Sequence, residues 1–415
     1  PAMPQSVFLP LGLCTLAMWR ALFRRKVREE TAEPDLPAPD PAHIAISDIS
    51  DDALVTVELG YGLVHFADET RGAPLVSRLT GLRRQLCESF GFVVPQFRIR
   101  DSFTLAPDNY RILLGGVPIG SGTLRPGRLL AIDTGDVPPG TVIEGEATRD
   151  PSFDCASVWI TPAARDHAIG EGYLVVDPHS VIATHIGQLL TPQAHRLFGP
   201  DEAQQLLDNV QQRHSHLVET LTPQPLTLAA LTRLFKALLA DGIPLAHPLP
   251  VLSAIAEATQ QSTDHATMID LIRRQLGTLL TGQICGPDET LPVITLSGAL
   301  EQAILASAPD PVSASLIIEP DLARLIGDNI AAVLAGRPAG ALTPALIVQG
   351  PSRRPLAELV RLRAPGCVVL SIHELPSGQP IHVLAVIGEA PADEAIEDTG
   401  TGTPPTISPK EALPV

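Results

Sequence analysis

GFVVPQFRIRD (91–101), NYRILLGGVPIGSG (109–122), RDPSFDCASVWI (149–160) and GYLVVDPHSVIATH (172–185) decide the fold. Apolar, β-rich runs alternate in these stretches with Pro, Gly and Asp punctuation. Such alternation describes short strands closed by turns, not a helical array. Strands are expected at 92–99, 110–114, 129–132, 157–160 and 173–176, with Pro95 marking an edge or a bulge. Just upstream, Leu75, Leu79, Leu82 and Leu86 recur at helical spacing, so 74–90 is an amphipathic helix ending at Gly91. A further strand is read at 55–66, interrupted by Gly60 and Gly62. The β-α-β-β order fits a compact α/β domain, and 135–177 reads as a small α/β insertion within it. A helix over 180–197, capped at Asp177 or Ser180, closes the unit.

Downstream of Gly199 the period changes. Segments 201–210, 227–240, 250–259 and 267–281 place apolar residues at i, i+3, i+4, which predicts short helices joined by Pro-containing turns. Strands return at 292–296, 344–349, 367–372 and 381–388, separated by helices at 298–306, 320–335 and 352–363. A β-α-β-β-α-β type of domain is the expectation. Residues 390–415 are rich in Pro, Thr and Glu, a composition that does not pack.

Upstream, SVFLPLGLCTLAMWRALF (6–23) is about as long as the shortest membrane spans. Arg20 near its end can snorkel, Trp19 sits where an interfacial aromatic belongs, and Arg24, Arg25, Lys26 and Arg28 come directly after it. Basic residues after the apolar run place the downstream chain in the cytoplasm, whereas a signal peptide carries them before it. Residues 1–23 are therefore read as the end of a last transmembrane helix, with a weak anchor or interfacial helix as the alternative. EETAEPDLPAPDPAH (29–43) continues as an acidic, Pro-rich linker.

At 415 residues the chain exceeds one ordinary core, and about two to four domains are expected. Aromatics make up only 4% of it, so its cores must be aliphatic. A formal net charge of −17 excludes nucleic acid as a main partner. The five cysteines are scattered and form no C-x-x-C, which argues against a disulfide framework or a structural zinc.

Chemistry is sparse. GGVPIGSG (115–122) lacks the Lys-Ser/Thr of a phosphate loop and reads as a hairpin turn. There is no G-x-S-x-G and no H-E-x-x-H. His179, His185 and Asp177 could be imagined as the site of a membrane-tethered hydrolase, but capping and core packing account for them better. His214 and His216 read as surface. Arg98, Arg100 and Asp101 read as a structural pair at a strand end, and Arg353 and Arg354 have no phosphate-binding context. Asp150-Pro151-Ser152-Phe153 is the more informative run: an Asp before Pro is pushed towards extended geometry, and Phe153 comes after it in a turn. Phe153 is either a plug in the local core, the favoured reading on residues alone, or the lining of an exposed apolar dimple with Asp150 at its rim. The residues give no positive case for an enzyme, a cofactor or a metal.

Taken together, GYGL (60–63), LRRQLCESFGFVVPQFRIRD (82–101), YRILLGGVPIGSG (110–122), RDPSF (149–153), WI (159–160), GYLVVDPHSVIATH (172–185) and EAQQLLD (202–208) resemble the FlhA family of flagellar type III export gates. The resemblance covers roughly 6–390. It implies an α+β multidomain chain: residues 24–54 as linker, a thioredoxin-like domain over 55–128 and 178–197, a ferredoxin-like insertion over 129–177, an all-α domain over 198–277, a second ferredoxin-like domain over 278–390 and a disordered tail over 391–415. Without C-x-x-C the thioredoxin-like part would be a scaffold. The resemblance further implies a homononameric ring under the inner membrane that docks export chaperones with their substrates, alongside the ATPase complex and the partner gate protein. Injectisome gates share the architecture and form the alternative. By motif match the chaperone dimple falls on Asp150, Phe153 and Thr184, with Val181 beside them. Phe153 would supply apolar area, Asp150 a rim charge, and Thr184 and Val181 the floor. Two departures stand out: Ser102 where the family usually has Asn, and Asp154 where it usually has Gly. A third is 245–249, Leu-Ala-His-Pro-Leu, where an Ile-Arg-Asp-Leu is expected.

Overall fold

The computed structural model describes residues 53–68, 72–286, 288–307, 318–338, 341–364 and 366–388. The expectations for 1–23, for nearly all of the linker and for the tail lie outside them. Among the described residues no helix is long and apolar enough to cross a membrane.

The first sheet contains β1 (Val55–Leu59), β2 (Phe97–Asp101), β3 (Asn109–Leu114) and β4 (Val117–Thr123), in the order β2-β1-β3-β4. β1 runs parallel to β2, and β3 is antiparallel to both its neighbours. The parallel pair is possible because α1 (Pro74–Phe90) crosses between β1 and β2. α1 buries Leu75, Leu79, Leu86 and Phe90, each worth about 1.5–3 kcal/mol of transfer free energy. It ends where Gly91 turns left-handed at φ 83° and returns its N–H to Cys87. A Cβ on Gly91 would lie 2.1 Å from the Ala246 nitrogen, so this glycine also lets the helical region close in. The Leu245 N–H donates to the Phe90 carbonyl at 2.8 Å across the same contact.

The expected strand over 92–99 begins only at Phe97. Pro95 has no N–H for a ladder, and the preceding backbone is used otherwise: the Val94 carbonyl accepts Arg83 Nε at 2.6 Å. Conversely, the Gly-rich run is more than a turn. Gly115 and Gly116, both at positive φ, make the tight reversal, and the rest is β4.

The insertion has four antiparallel strands, β5 (Leu129–Ile132), β6 (Glu146–Arg149), β7 (Ala156–Ile160) and β8 (Leu174–Val176), in the order β6-β7-β5-β8. The short α2 (Arg165–Gly170) joins β7 to β8, and Leu129, Ala131, Ile143, Ile160 and Ala168 form a separate small core. The chain then returns to the first sheet through α3 (Pro178–Leu190), which packs beside α1 and buries Val181, Ile182, His185, Ile186 and Leu190. Asp177 is its N-cap residue by position, but its side chain makes no capping bond, and Pro178 occupies N1 instead.

The helical region comprises α4 (Pro200–Gln211), α5 (Ser215–Glu219), α6 (Leu228–Ala240), α7 (Pro248–Gln261), α8 (His265–Gln275) and α9 (Gly277–Gly282). Thr227 and Asp264 cap α6 and α8 through side-chain oxygens. The single helix expected over 267–281 breaks at Leu276. There a Cβ on Gly277 would strike the Glu374 carbonyl at 2.1 Å.

The C-terminal sheet corrects an expectation. Its strands, β9 (Leu291–Leu296), β10 (Ala345–Val348), β11 (Val368–Ser371) and β12 (Ile381–Ile387), pair in parallel throughout, in the order β11-β10-β9-β12. A ferredoxin-like sheet is antiparallel and needs a hairpin between its middle strands. Here α10 (Gly298–Leu305) and α11 (Pro320–Ala335) separate β9 from β10, and α12 (Gly350–Arg363) separates β10 from β11. A crossover helix returns the chain in the same direction, so the pairing is parallel. One apolar core runs continuously from Val55 through the helical region and reaches Leu291, Val293, Ala345 and Leu370. The outer layer of the C-terminal sheet keeps its own core around Ile294, Ile330 and Leu356.

Candidate functional site

β6 runs into a turn over 150–155 that is built around Asp150. Its carboxylate Oδ2 accepts the backbone N–H of Ser152 at 3.0 Å and of Phe153 at 2.8 Å. Its own N–H donates to the Cys155 carbonyl, and its carbonyl accepts the Asp154 N–H, each at 2.9 Å. This closed turn leaves the Asp150 residue only 2% exposed, so Asp150 is not the rim charge expected of it. An ionised carboxylate that accepts two backbone N–H groups is held inward because those bonds replace its water.

The same turn pushes Phe153 outwards. It is 58% exposed, so the favoured reading of a core plug is also corrected. Asp154 completes the loop in the left-handed region at φ 56°. Arg149 Nη1 grips it, donating to the Asp154 carbonyl at 2.6 Å and to its carboxylate at 3.1 Å. The charged pair at the edge of the Phe153 ring's turn is thus Arg149 and Asp154, both largely solvated.

Thr184 and Val181 lie on α3 and face in different directions. Thr184 is exposed and lines a groove of about 480 Å³ between α1 and α3, with Arg78, Gly81, Leu82, Gln85 and Gln188. Val181 is 2% exposed and belongs to the core beneath the helix. It can set the height of α3 but offers no surface of its own.

Residue 185, next to Thr184, points inwards. Its Nδ1 lies 2.8 Å from the Tyr110 hydroxyl, with the two rings edge to face. Burial pushes the His185 pKa down, against the opposing charge of Asp150. Burial and the same Asp150 charge push the Tyr110 phenol well above its ordinary range. His179 faces elsewhere: its ring sits 6.2 Å from Phe66, and Asp177 and Arg78 are the charges that act on it. In the imagined triad His185 therefore stands apart from His179 and Asp177. Among the described residues no group of three or more His, Cys, Asp or Glu is arranged to hold a metal.

A second polar centre was invisible in the sequence. Arg273 on α8 and Arg353 on α12 are almost wholly buried. Arg273 donates to both Glu374 oxygens at 2.9 Å and to Asp241 at 3.2 Å, and Arg353 reaches Asp241 at 3.0 Å. Arg273 also caps the Val369 carbonyl on the edge strand β11. Beside it opens a cleft of about 520 Å³, lined by Thr191, Leu239, Arg361 and Val368 among others. Partners 101 residues apart leave no local pattern to read.

The chain matches the FHIPEP family over residues 1–379. It is 34% identical over 392 residues to the flagellar biosynthesis protein FlhA of Salmonella typhimurium, covering 94% of this chain and 56% of that protein. It is 31% identical to FlhA of Bacillus subtilis over 334 residues, 80% of this chain and 49% of that one. It thus spans about half the length of these curated relatives. Among solved structures, the Chlamydia pneumoniae CdsV and CdsO protein complex is similar with a TM-score of 0.69 at 21% identity, covering 84% of this chain and all of that one. The nonameric EPEC SctV-C is similar with a TM-score of 0.64 at 16% identity, covering 81% and 99%. At such identities the structural likeness speaks for the fold.

Proposed function

The chain belongs to the FHIPEP family, and from that premise we propose that it is the cytoplasmic part of a flagellar type III protein export gate, which docks export chaperones carrying their substrates. The flagellar reading is favoured over an injectisome gate because relatives at 30% identity or more carry the flagellar name. The structural likenesses quoted above lie at 16–21%.

The observation that carries the docking reading is Phe153. It is a large apolar ring, more than half exposed, presented by a turn whose backbone is fixed from within by Asp150. Rigid aromatic anchors make good hot spots because little side-chain entropy is lost on binding. Thr184 and the α1–α3 groove would add polar contacts. Arg149 and Asp154 would take the rim role first assigned to Asp150, with Val181 supporting α3 from below. Binding is by shape and apolar contact, with no chemical step.

The first sheet is read as a thioredoxin-like scaffold, supported by its β2-β1-β3-β4 order with β3 reversed. The insertion is read as ferredoxin-like, supported by its antiparallel β6-β7-β5-β8 order, with a loop replacing the first helix. A homononameric ring at the inner face of the inner membrane is part of the same reading, as are contacts with the ATPase complex and the partner gate protein. Support comes from the likeness to nonameric SctV-C and to CdsV in its complex with CdsO.

The test is Phe153→Ala in the full chain, with titration against a purified flagellar export chaperone bound to its substrate. Affinity should fall by about 1–3 kcal/mol, roughly 5- to 150-fold, with an unchanged melting temperature. An unaltered Kd would remove the docking surface from this turn.

A further inference from the structure

We infer that Tyr110 and His185 are positioning residues for the docking surface. They fix helix α3, which carries Thr184, against the first sheet. The inference rests on the docking reading above.

The two aromatic rings make a directional link where the rest of the interface is greasy. α3 packs on the sheet through Val181, Ile182, Ile186 and Leu190, contacts that tolerate sliding and rotation. Among the described residues, the Tyr110–His185 bond at 2.8 Å is the one hydrogen bond from an α3 side chain to another element. A hydrogen bond weakens steeply when misaligned, so it fixes the helix's rotation as dispersion contacts cannot. Thr184 and His185 are consecutive on the helix. Pinning the buried imidazole therefore sets where the exposed threonine stands.

β4 is shaped to receive this pair. A Cβ on Gly122 would lie 2.6 Å from the Tyr110 hydroxyl oxygen, and one on Gly120 would lie 2.3 Å from Leu189 Cδ1 and 3.2 Å from His185 Nε2. The two glycines of β4 thus make room for the Tyr110 ring and for Leu189 and His185 of α3, which explains glycines that weaken a strand and whose φ angles demand none.

Burial raises the Tyr110 pKa with the Asp150 charge adding to it, while at His185 burial lowers the pKa against that same charge. The phenol stays protonated, because burial and Asp150 both oppose its ionisation. With burial disfavouring the imidazolium, the bond joins a protonated phenol to a neutral imidazole at Nδ1.

The experiment compares Tyr110→Phe, His185→Leu, His185→Asn, Phe153→Ala and the Tyr110→Phe/Phe153→Ala double variant in the full chain. Kd for a purified flagellar export chaperone with its substrate and the melting temperature are measured for each. Tyr110→Phe and His185→Leu should weaken binding about 3- to 10-fold, while His185→Asn, whose amide oxygen can accept the phenolic proton, should stay within about twofold of the parent. The double variant should show the product of the two single losses, because Tyr110 acts through Thr184 while Phe153 is placed by its own turn. A purely structural pair would lower the melting temperature of Tyr110→Phe and leave Kd unchanged, which overturns the inference while the docking reading stands. A double variant that binds no more weakly than Phe153→Ala overturns it as well, because Tyr110 would then act through that ring and not through Thr184. If Phe153→Ala itself binds normally, the docking reading falls and takes the inference with it.

Discussion

The Phe153 backbone N–H is held by Asp150 Oδ2 at 2.8 Å, so the most exposed ring near the proposed surface is set by one of its most buried carboxylates. Removing Asp150 therefore acts on the turn and only through it on any partner. Asp150→Ala leaves two backbone N–H groups without their acceptor and should cost about 1–3 kcal/mol of stability. Asp150→Asn keeps a neutral acceptor and should cost less. Urea unfolding of both variants checks the order, and equal stability of Asp150→Ala and the parent would contradict it. A loss of chaperone affinity in Asp150→Ala is expected to accompany that loosened turn.

Asp154 occupies a left-handed backbone position, φ 56°, where the resemblance leads one to expect glycine. Short polar residues tolerate that region, whereas β-branched ones do not. Asp154→Val should destabilise by about 1–2 kcal/mol. Asp154→Gly should be close to neutral: relief of backbone strain is offset by greater freedom in the unfolded chain. The solvated Arg149 pair adds little to the balance. Thermal melts of the two variants give the comparison, and a stabilising Asp154→Val would refute the argument.

Much of this arrangement could be read from residue spacing. Leu75, Leu79 and Leu86 bury one helical face as expected, and 320–335 is helical to the residue. Strands without an apolar pattern escaped notice. β6 is Glu-Ala-Thr-Arg at a sheet edge, and β4 is diluted by two glycines that make room for Tyr110, His185 and Leu189 across the fold. The direction in which a carboxylate turns is also hidden, although an Asp followed by backbone N–H groups two and three residues on is a recognised turn pattern, and it would have placed Asp150 inwards. The parallel C-terminal sheet could have been anticipated, because the helix expected between the second and third strands already implied a crossover.

Four histidines, His179, His185, His195 and His265, have pKa values pushed below the ordinary 6.5, in each case chiefly by burial. Above about pH 6.5 they are neutral in both folded and unfolded chains and leave stability unchanged. As the pH falls below that value the unfolded chain takes up protons that the folded chain refuses, so stability is lost until the folded values are passed. Glu58 adds a second loss at lower pH. Burial opposes its ionisation, but its bonds to Arg100 and Arg111 hold its pKa below 4.5, and protonation removes them. The melting temperature should therefore be lower at pH 5.5 than at pH 7.5 and fall again below about pH 4.5. A flat profile between 7.5 and 5.5 would rule out the histidine account.

Arg273 and Glu374 join the helical region to the C-terminal sheet through two hydrogen bonds of 2.9 Å, with both side chains 2% exposed. Burial alone would favour a neutral Arg273, but the bonds and charge of Glu374, helped by Asp241, raise its pKa instead. Such a pair contributes little when intact, because desolvation offsets attraction. Breaking it is another matter: Glu374→Gln leaves two buried guanidinium groups with only Asp241 and the more exposed Asp270 opposite them and should cost about 3–5 kcal/mol. The loss should be local, since Gly277 abuts the Glu374 carbonyl and the Ser371 N–H depends on its carboxylate. Hydrogen exchange should accelerate in β11 and α12 first, while amides of β1 and β3 keep their protection. High salt should not rescue the variant, because the groups lie out of reach of screening ions. Uniform acceleration across all three sheets would instead mean that the described residues from Leu54 onward unfold as a single cooperative unit, and the clasp would then be one contact among many.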